Sequence, residues 1–88
     1  MRLVSQNGNV DIPYDKAVLL HAQDYVMARV GDKEYLMGEY SSMKKSYKAM
    51  EMVRKRYLDY LDVKFETFWY SNDYPKVFQF PADEEVEV

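Results

Sequence analysis

The fold is organised around residues 41–62, SSMKKSYKAMEMVRKRYLDYLD, the one long stretch of the chain with helical periodicity. Apolar side chains recur in it at spacings of three and four residues, which gathers them on one face of an α-helix. This predicted apolar stripe consists of Met43, Tyr47, Met50, Val53, Tyr57, Tyr60 and Leu61. Ser41 or Ser42 is the predicted N-cap, because a serine hydroxyl accepts a hydrogen bond from an unpaired N–H group of the first turn. The stretch therefore predicts one long amphipathic helix.

The other faces of the predicted helix are basic. They carry Lys44, Lys45, Lys48, Arg54, Lys55 and Arg56. Lys44 and Lys45 fall in the first turn, where positive charge is unfavourable because it opposes the helix dipole. An unfavourable residue without a visible compensating gain can mark a functional position. Glu51 and Lys55 are spaced for an ion pair one turn apart. The whole chain has a net charge of −3, and four of its last six residues are acidic. A basic helix and an acidic C-terminus are the main electrostatic features.

Short strand patterns with turn residues between them precede the helix. They cover residues 2–5, 10–12, 17–22, 25–30 and 34–40. Asn7-Gly8 predicts a two-residue type I′ turn, and residues 23–24 and 31–33 predict the later turns. In the last strand we expect Leu36 and Gly38 to face the helix, because a glycine lets a helix approach a sheet closely. Strands at such short spacing predict an antiparallel meander.

The pattern beyond the helix is weaker. Residues 63–70 extend the helix, form a strand or pack as a loop, and residues 71–75 are a turn cluster. Residues 77–80 predict a short strand that returns beside an earlier one. The predicted fold class is therefore α+β, with an antiparallel sheet of four to five short strands packed against one long helix in the order β-β-β-β-α-β. We expect a single domain over residues 1–81 and a poorly ordered acidic tail over residues 82–88.

Three segments of the sequence are distinctive together. They are RLVSQNGNVDIPY (residues 2–14), EYSS (39–42) leading into KAMEM (48–52), and VFQFP (77–81) with the acidic residues after it. In these segments the chain resembles a group of small uncharacterised proteins from Gram-positive bacteria and their phages. The stretch from residue 62 to 75 is shorter than in the longer members. The resemblance implies a bacterial or prophage setting, and it transfers no activity, cofactor or site residue.

Motifs for catalysis or cofactor binding are missing from the sequence. His21 is the only histidine, and no nucleophile or acid accompanies it in a recognisable motif, so we interpret it as a structural or exposed residue and not as a general base. The serines, at positions 5, 41, 42, 46 and 71, lack a recognisable base beside them. The chain has no cysteine, and its acidic residues, Asp11 and Asp15 included, lack EF-hand spacing. We expect no enzyme, no metal site, no cofactor and no small-molecule substrate.

Two classes of partner remain, and aromatic residues favour the first. Phe65, Phe68, Trp69 and Tyr70 add to an aromatic load larger than one helix on a small sheet can cover, which is typical of a protein interface. Contact with a protein partner, or with a second copy in a homodimer, is the leading interpretation. The alternative is accessory nucleic-acid binding by the basic face, although acidic residues interrupt that face. No apolar run is long enough to span a membrane and no signal-peptide pattern is present, so we expect a cytoplasmic protein.

Overall fold

The computed structural model describes residues 1–66 and 77–88, with side chains for residues 1–61 and 77–88. Within these residues the chain forms six strands, one long helix and two short 3₁₀ helices. The strands are β1 (Arg2–Val4), β2 (Asp11–Pro13), β3 (Val18–Ala22), β4 (Tyr25–Val30), β5 (Lys33–Glu39) and β6 (Val77–Gln79). The helix α1 spans Met43–Glu66, and the 3₁₀ helices span Tyr14–Lys16 and Asp83–Glu85. The predicted α+β class is confirmed, and the helix continues past the predicted end at residue 62.

The strands form two sheets where one was predicted. The first sheet has the order β2-β1-β6 and the second the order β3-β4-β5. β6 returns beside an earlier strand, as predicted, but it runs parallel to β1, with Leu3 opposite Phe78. The predicted order was also wrong, because five strands precede α1. Pro13 ends β2 and the 3₁₀ helix follows it directly, so the chain leaves the first sheet there and begins the second.

The loop between β1 and β2 is not the predicted two-residue turn. Gly8 N–H donates to Ser5 O at 2.9 Å, and of the two residues Asn7 and Gly8 only the glycine has a positive φ, 81°. A type I′ turn requires positive φ at both central residues. The loop therefore spans residues 6–9, and its first residue, Gln6, is directed towards β5.

A β-bulge decides which side chains of β5 are buried. The pairing with β4 passes from Leu36 to Gly38 and omits Met37. Met37 and Gly38 are consequently both buried, whereas Leu36 is 45% exposed. The prediction that Leu36 faces the helix was wrong, because strict alternation fails at a bulge. Gly38 is buried as expected, but its close neighbour is the ring of Tyr40. Burial is the main reason why the pKa of Tyr40 is raised to about 12, and its hydroxyl donates to Pro81 O at 2.9 Å.

α1 packs on β3 and β4 through a narrow face of small side chains. Ser46, Ala49 and Val53, spaced by three and four residues, are fully buried. Met50, Tyr57 and Tyr60 of the predicted stripe are half-buried. The stripe was wrong at Met43, Tyr47 and Leu61, which are exposed. Small side chains let the helix approach the sheet closely, so the larger apolar side chains are displaced to its flanks.

The C-terminal residues pack against the start of α1. Val86 is buried in the core, and Asp83 Oδ1 accepts a hydrogen bond from Ser41 N–H at 2.7 Å. Lys45 Nζ donates to Asp83 O at 2.9 Å and lies 3.5 Å from Asp83 Oδ2. Ser42 is the N-cap, because its Oγ accepts from Lys45 N–H at 3.2 Å. The expectation of poor order does not hold for residues 82–86, and Asp83 supplies the negative charge that the first turn of α1 lacks.

We expect Gly38→Ala to lower the free energy of unfolding by about 1–3 kcal/mol, the usual cost of overpacking a core. The added Cβ would lie 2.8 Å from Tyr40 Cε2 and 2.9 Å from Tyr40 Oη. The ring is buried and hydrogen-bonded, so it cannot simply move away. Urea unfolding followed by circular dichroism measures the change. In a Tyr40→Leu background the same substitution should cost much less, and an equal cost in both backgrounds would contradict the steric explanation.

Acidification should destabilise the protein partly through Asp83. The hydrogen bond from Ser41 N–H, with Lys45 adding to it, lowers the pKa of Asp83 below its usual 3.8. The folded protein therefore favours the ionised carboxylate, and this stabilisation is present above about pH 4 and lost as the pH falls further. We expect Asp83→Asn to lower the urea midpoint at neutral pH and to weaken the loss of stability between about pH 4 and about pH 2. The matched control is Glu87→Gln at an exposed position, and identical behaviour of the two variants would contradict the assignment.

Candidate protein-interaction surface

The six predicted cations of α1 lie on three different sides of the helix, as follows from a rotation of about 100° per residue. Lys45 and Arg56 lie on the side of the C-terminal residues and β6, where the Arg56 guanidinium carbon is 5.7 Å from the Phe78 ring centroid. Arg54 lies on the opposite side, next to β3. The outermost side carries the remaining three, Lys44, Lys48 and Lys55. The structure therefore does not bring all six onto one face.

The outermost side of α1 is not uniformly basic. Glu51 Oε2 lies 4.0 Å from Lys48 Nζ, so the glutamate pairs one turn back and not with Lys55 as predicted. Both partners are about half exposed, and an ion pair of this kind contributes little to stability. Lys44 and Lys55 form no ion pair with any residue that the structure describes.

The predicted aromatic interface lies almost entirely beyond the described part of the chain. Phe65 belongs to α1, and its side chain is not among those described. Phe68, Trp69 and Tyr70 lie outside the described residues.

His21 and Ser46 form a contact that the sequence did not suggest. His21 Nε2 lies 2.6 Å from Ser46 Oγ, and Ser46 Oγ also lies 2.8 Å from Met43 O and 3.3 Å from Gln23 O. The carbonyl oxygens only accept and the hydroxyl has one proton, so we assign the Nε2–H group as the donor to Ser46 Oγ. Ser46 is fully buried and accepts from the imidazole, which is not the arrangement of an activated nucleophile. The contact joins β3 to α1.

Exposed apolar side chains accumulate on the side of α1 next to β3. The Tyr47 ring stacks on His21 of β3 with 4.0 Å between centroids, yet Tyr47 is 52% exposed. Met43 and Leu58, 55% and 61% exposed, lie within about 40° of Tyr47 around the helix. A groove of about 360 Å³ separates this side of the helix from β3. The groove is lined by Tyr14, Asp15, Ala17, Leu19, Met50 and Arg54.

The face of the second sheet turned away from α1 carries an apolar row. Leu20, Met27 and Leu36 lie directly opposite one another on β3, β4 and β5. Side chains alternate along β4, and the buried Ala28 faces the core, so its neighbour Met27 and the row face outwards. Val18, 50% exposed, lies on the same outer face of β3. The row therefore reaches the sheet edge formed by β3.

The two edges of this sheet differ. β3 pairs only with β4, and no backbone hydrogen bond from another described element reaches residues 18–22. Those residues include no proline, lysine or acid, the usual protections of an edge strand. The edge of β5 is covered at its C-terminal end, because Gln6 N–H donates to Met37 O at 2.7 Å and Glu39 N–H donates to Gln6 Oε1 at 3.0 Å. Its N-terminal end carries the charged Lys33 and Glu34, which protect an edge strand in another way. In the described part of the sheet, β3 is thus the edge that has neither a covering segment nor a charged residue, and we call it the open edge.

Comparison of the chain with family models, with curated proteins and with solved structures found no match. No helix in residues 1–66 or 77–88 is long and apolar enough to cross a membrane. The same residues bring together no group of three acidic or histidine side chains that would hold a metal ion. The candidate site is instead the open edge of β3 with the exposed Val18, Met43 and Tyr47 beside it. We refer to this region as the β3 surface.

Proposed function

We propose that this chain is a non-enzymatic protein that acts through protein–protein contacts made at the β3 surface. The supporting observation is that an unpaired, uncharged strand edge coincides with exposed apolar side chains on the neighbouring helix. The resemblance to small proteins of Gram-positive bacteria and their phages favours a bacterial cytoplasm as the setting.

Strand addition is the binding mode that suits such a surface. An extended segment that pairs with a free strand edge gains main-chain hydrogen bonds, and its alternate side chains fill neighbouring pockets. At β3 the groove beside α1 would receive one set of side chains, next to Leu19 and Met50. The other set would lie on the outer face beside Val18 and Leu20. Both faces of an added strand would therefore find apolar surface.

Photo-cross-linking in living cells tests this function. A photoreactive phenylalanine analogue at position 47 lies on the β3 surface, and we expect it to capture a protein in a discrete adduct. The matched control places the same analogue at Lys55, on the outermost side of the same helix. Val18→Lys, which protects the edge with a charge at an exposed position, should reduce the adduct from position 47. Equal adducts from both positions, or none, would contradict the proposal.

A second candidate function is accessory nucleic-acid binding by Lys44, Lys48 and Lys55, which share the outermost side of α1. If these three side chains contact phosphates, the affinity for duplex DNA should fall about 40-fold between about 50 and about 200 mM salt. Fluorescence anisotropy of labelled random DNA and RNA measures this change. Replacing all three by Gln should abolish binding at the lower salt concentration.

The control for that experiment removes the same amount of charge elsewhere. Lys16, Arg29 and Lys33 are exposed and lie outside α1, and their replacement by Gln should leave binding nearly unchanged. If both triple variants lose affinity equally, only net charge matters and the helix is not the binding face. No binding at the lower salt concentration would reject the nucleic-acid function.

A further inference from the structure

We propose that the occupant of the β3 surface is a second copy of this chain, whose β3 pairs antiparallel with the first across a two-fold axis at Leu20. The inference rests on the proposed function of the β3 surface as a protein contact, and it specifies the partner and the register. Three independent features support it: main-chain hydrogen bonding, flanking charge and apolar complementarity.

Hydrogen bonding limits the registers that are available. The β3–β4 hairpin closes at the pair Ala22 and Tyr25 around a two-residue turn, and the closing pair of such a hairpin exchanges both hydrogen bonds. Hydrogen-bonded and non-bonded pairs alternate along the hairpin, so Ala22, Leu20 and Val18 bond to β4. The main-chain groups of Leu19 and His21, which lie between them, are directed to the open edge. An axis at Leu20 places Leu19 opposite His21 of the second copy, and reciprocally. Each of these pairs can exchange two main-chain hydrogen bonds.

Flanking charges select this register over those shifted by two residues. Lys16 ends the 3₁₀ helix before β3 and Asp24 lies in the turn after it, four positions before and after Leu20. The two-fold axis therefore places Lys16 of each copy at the same end of the paired strands as Asp24 of the other. A shift of two residues in either direction separates both pairs. Residues 17–23 contain no Lys, Arg, Asp or Glu that would oppose the pairing. Exposed pairs of this kind act on register and specificity more than on affinity.

Apolar surface is complementary on both faces of the joined sheet. On the outer face, Leu20 lies opposite Leu20 of the second copy as a non-bonded pair. The apolar row of Leu36, Met27 and Leu20 therefore continues into the same row of the second copy, across six strands. On the inner face, the axis keeps both α1 helices on the same side of the sheet. Tyr47 and Met43 of each helix then flank the junction, which would cover side chains that are more than half exposed in one copy.

Disulfide cross-linking tests the register directly, because the chain has no cysteine of its own. Leu20→Cys places one thiol at the axis, where non-bonded antiparallel residues have Cα atoms about 4.5 Å apart, within disulfide range. We expect mild oxidation to give a covalent dimer, and light scattering on the wild-type protein to give twice the 10.5 kDa of the chain. The control Glu34→Cys lies on β5, more than about 20 Å from its equivalent in the dimer, and should not cross-link.

A second pair of variants avoids any effect of replacing Leu20. Val18 and Ala22 are exposed and lie opposite each other in this register. The double variant Val18→Cys with Ala22→Cys should cross-link, whereas neither single variant should. Lys16→Asp should weaken dimerisation several-fold, and adding Asp24→Lys should restore it.

The outcomes separate this inference from the proposed function. Cross-linking of a single Val18→Cys or Ala22→Cys variant would overturn the register. A monomeric mass without cross-linking at Leu20→Cys, together with a cellular adduct of another protein from position 47, would overturn self-pairing and leave the β3 surface as a contact surface. If position 47 also captures nothing, both proposals fail.

Discussion

The close approach of α1 to the second sheet is the constraint on which the rest of the structure depends. Ser46 and Ala49 are small enough to let the helix lie directly on β3 and β4, where both are fully buried. Larger side chains are therefore displaced to the flanks. On one flank Lys45 and Arg56 meet the C-terminal residues and β6. On the other flank, Tyr47 remains half exposed beside β3. The close packing of α1 on β3 and β4 thus places the cations of the helix on different sides and leaves an apolar side exposed.

The elements of this fold could be predicted from the sequence wherever their signals are local. The bounds of β4 and the turn at residues 23–24 follow from alternation and turn residues. Capping preference narrowed the N-cap to Ser41 or Ser42, and the structure has it at Ser42. The division into two sheets could not be predicted, because it depends on pairing between β1 and β6 at opposite ends of the chain. The bulge at Met37 was equally hidden, since the sequence of β5 reads as a regular alternating strand.

The candidate site was predicted less well than the fold, for physical reasons. Large apolar residues of α1 were assigned to the core, but proximity to the sheet selects small ones. The run at residues 17–22 was recognised as an apolar strand, yet whether a strand lies at an edge depends on which other segments pair with it. The positive charge of Lys45 in the first turn of α1 was unexplained by the sequence for a similar reason. Its compensating partner, Asp83, is 38 residues away, beyond the reach of any local capping rule.

The coverage of β5 by Gln6 has a consequence for the size of any assembly. A sheet with two open edges can add identical strands on both sides, and the product is a fibre of unlimited length. Here a glutamine takes the place of a strand residue beside the C-terminal end of β5, using its backbone N–H and its side-chain amide. A sheet with a single self-complementary edge pairs once, and the product is a dimer with closed two-fold symmetry. Gln6 at one end of β5 and the charged Lys33 and Glu34 at the other thereby oppose further strand addition there. Pairing through this sheet would then stop at the β3 edge, although β3 itself carries none of these protections.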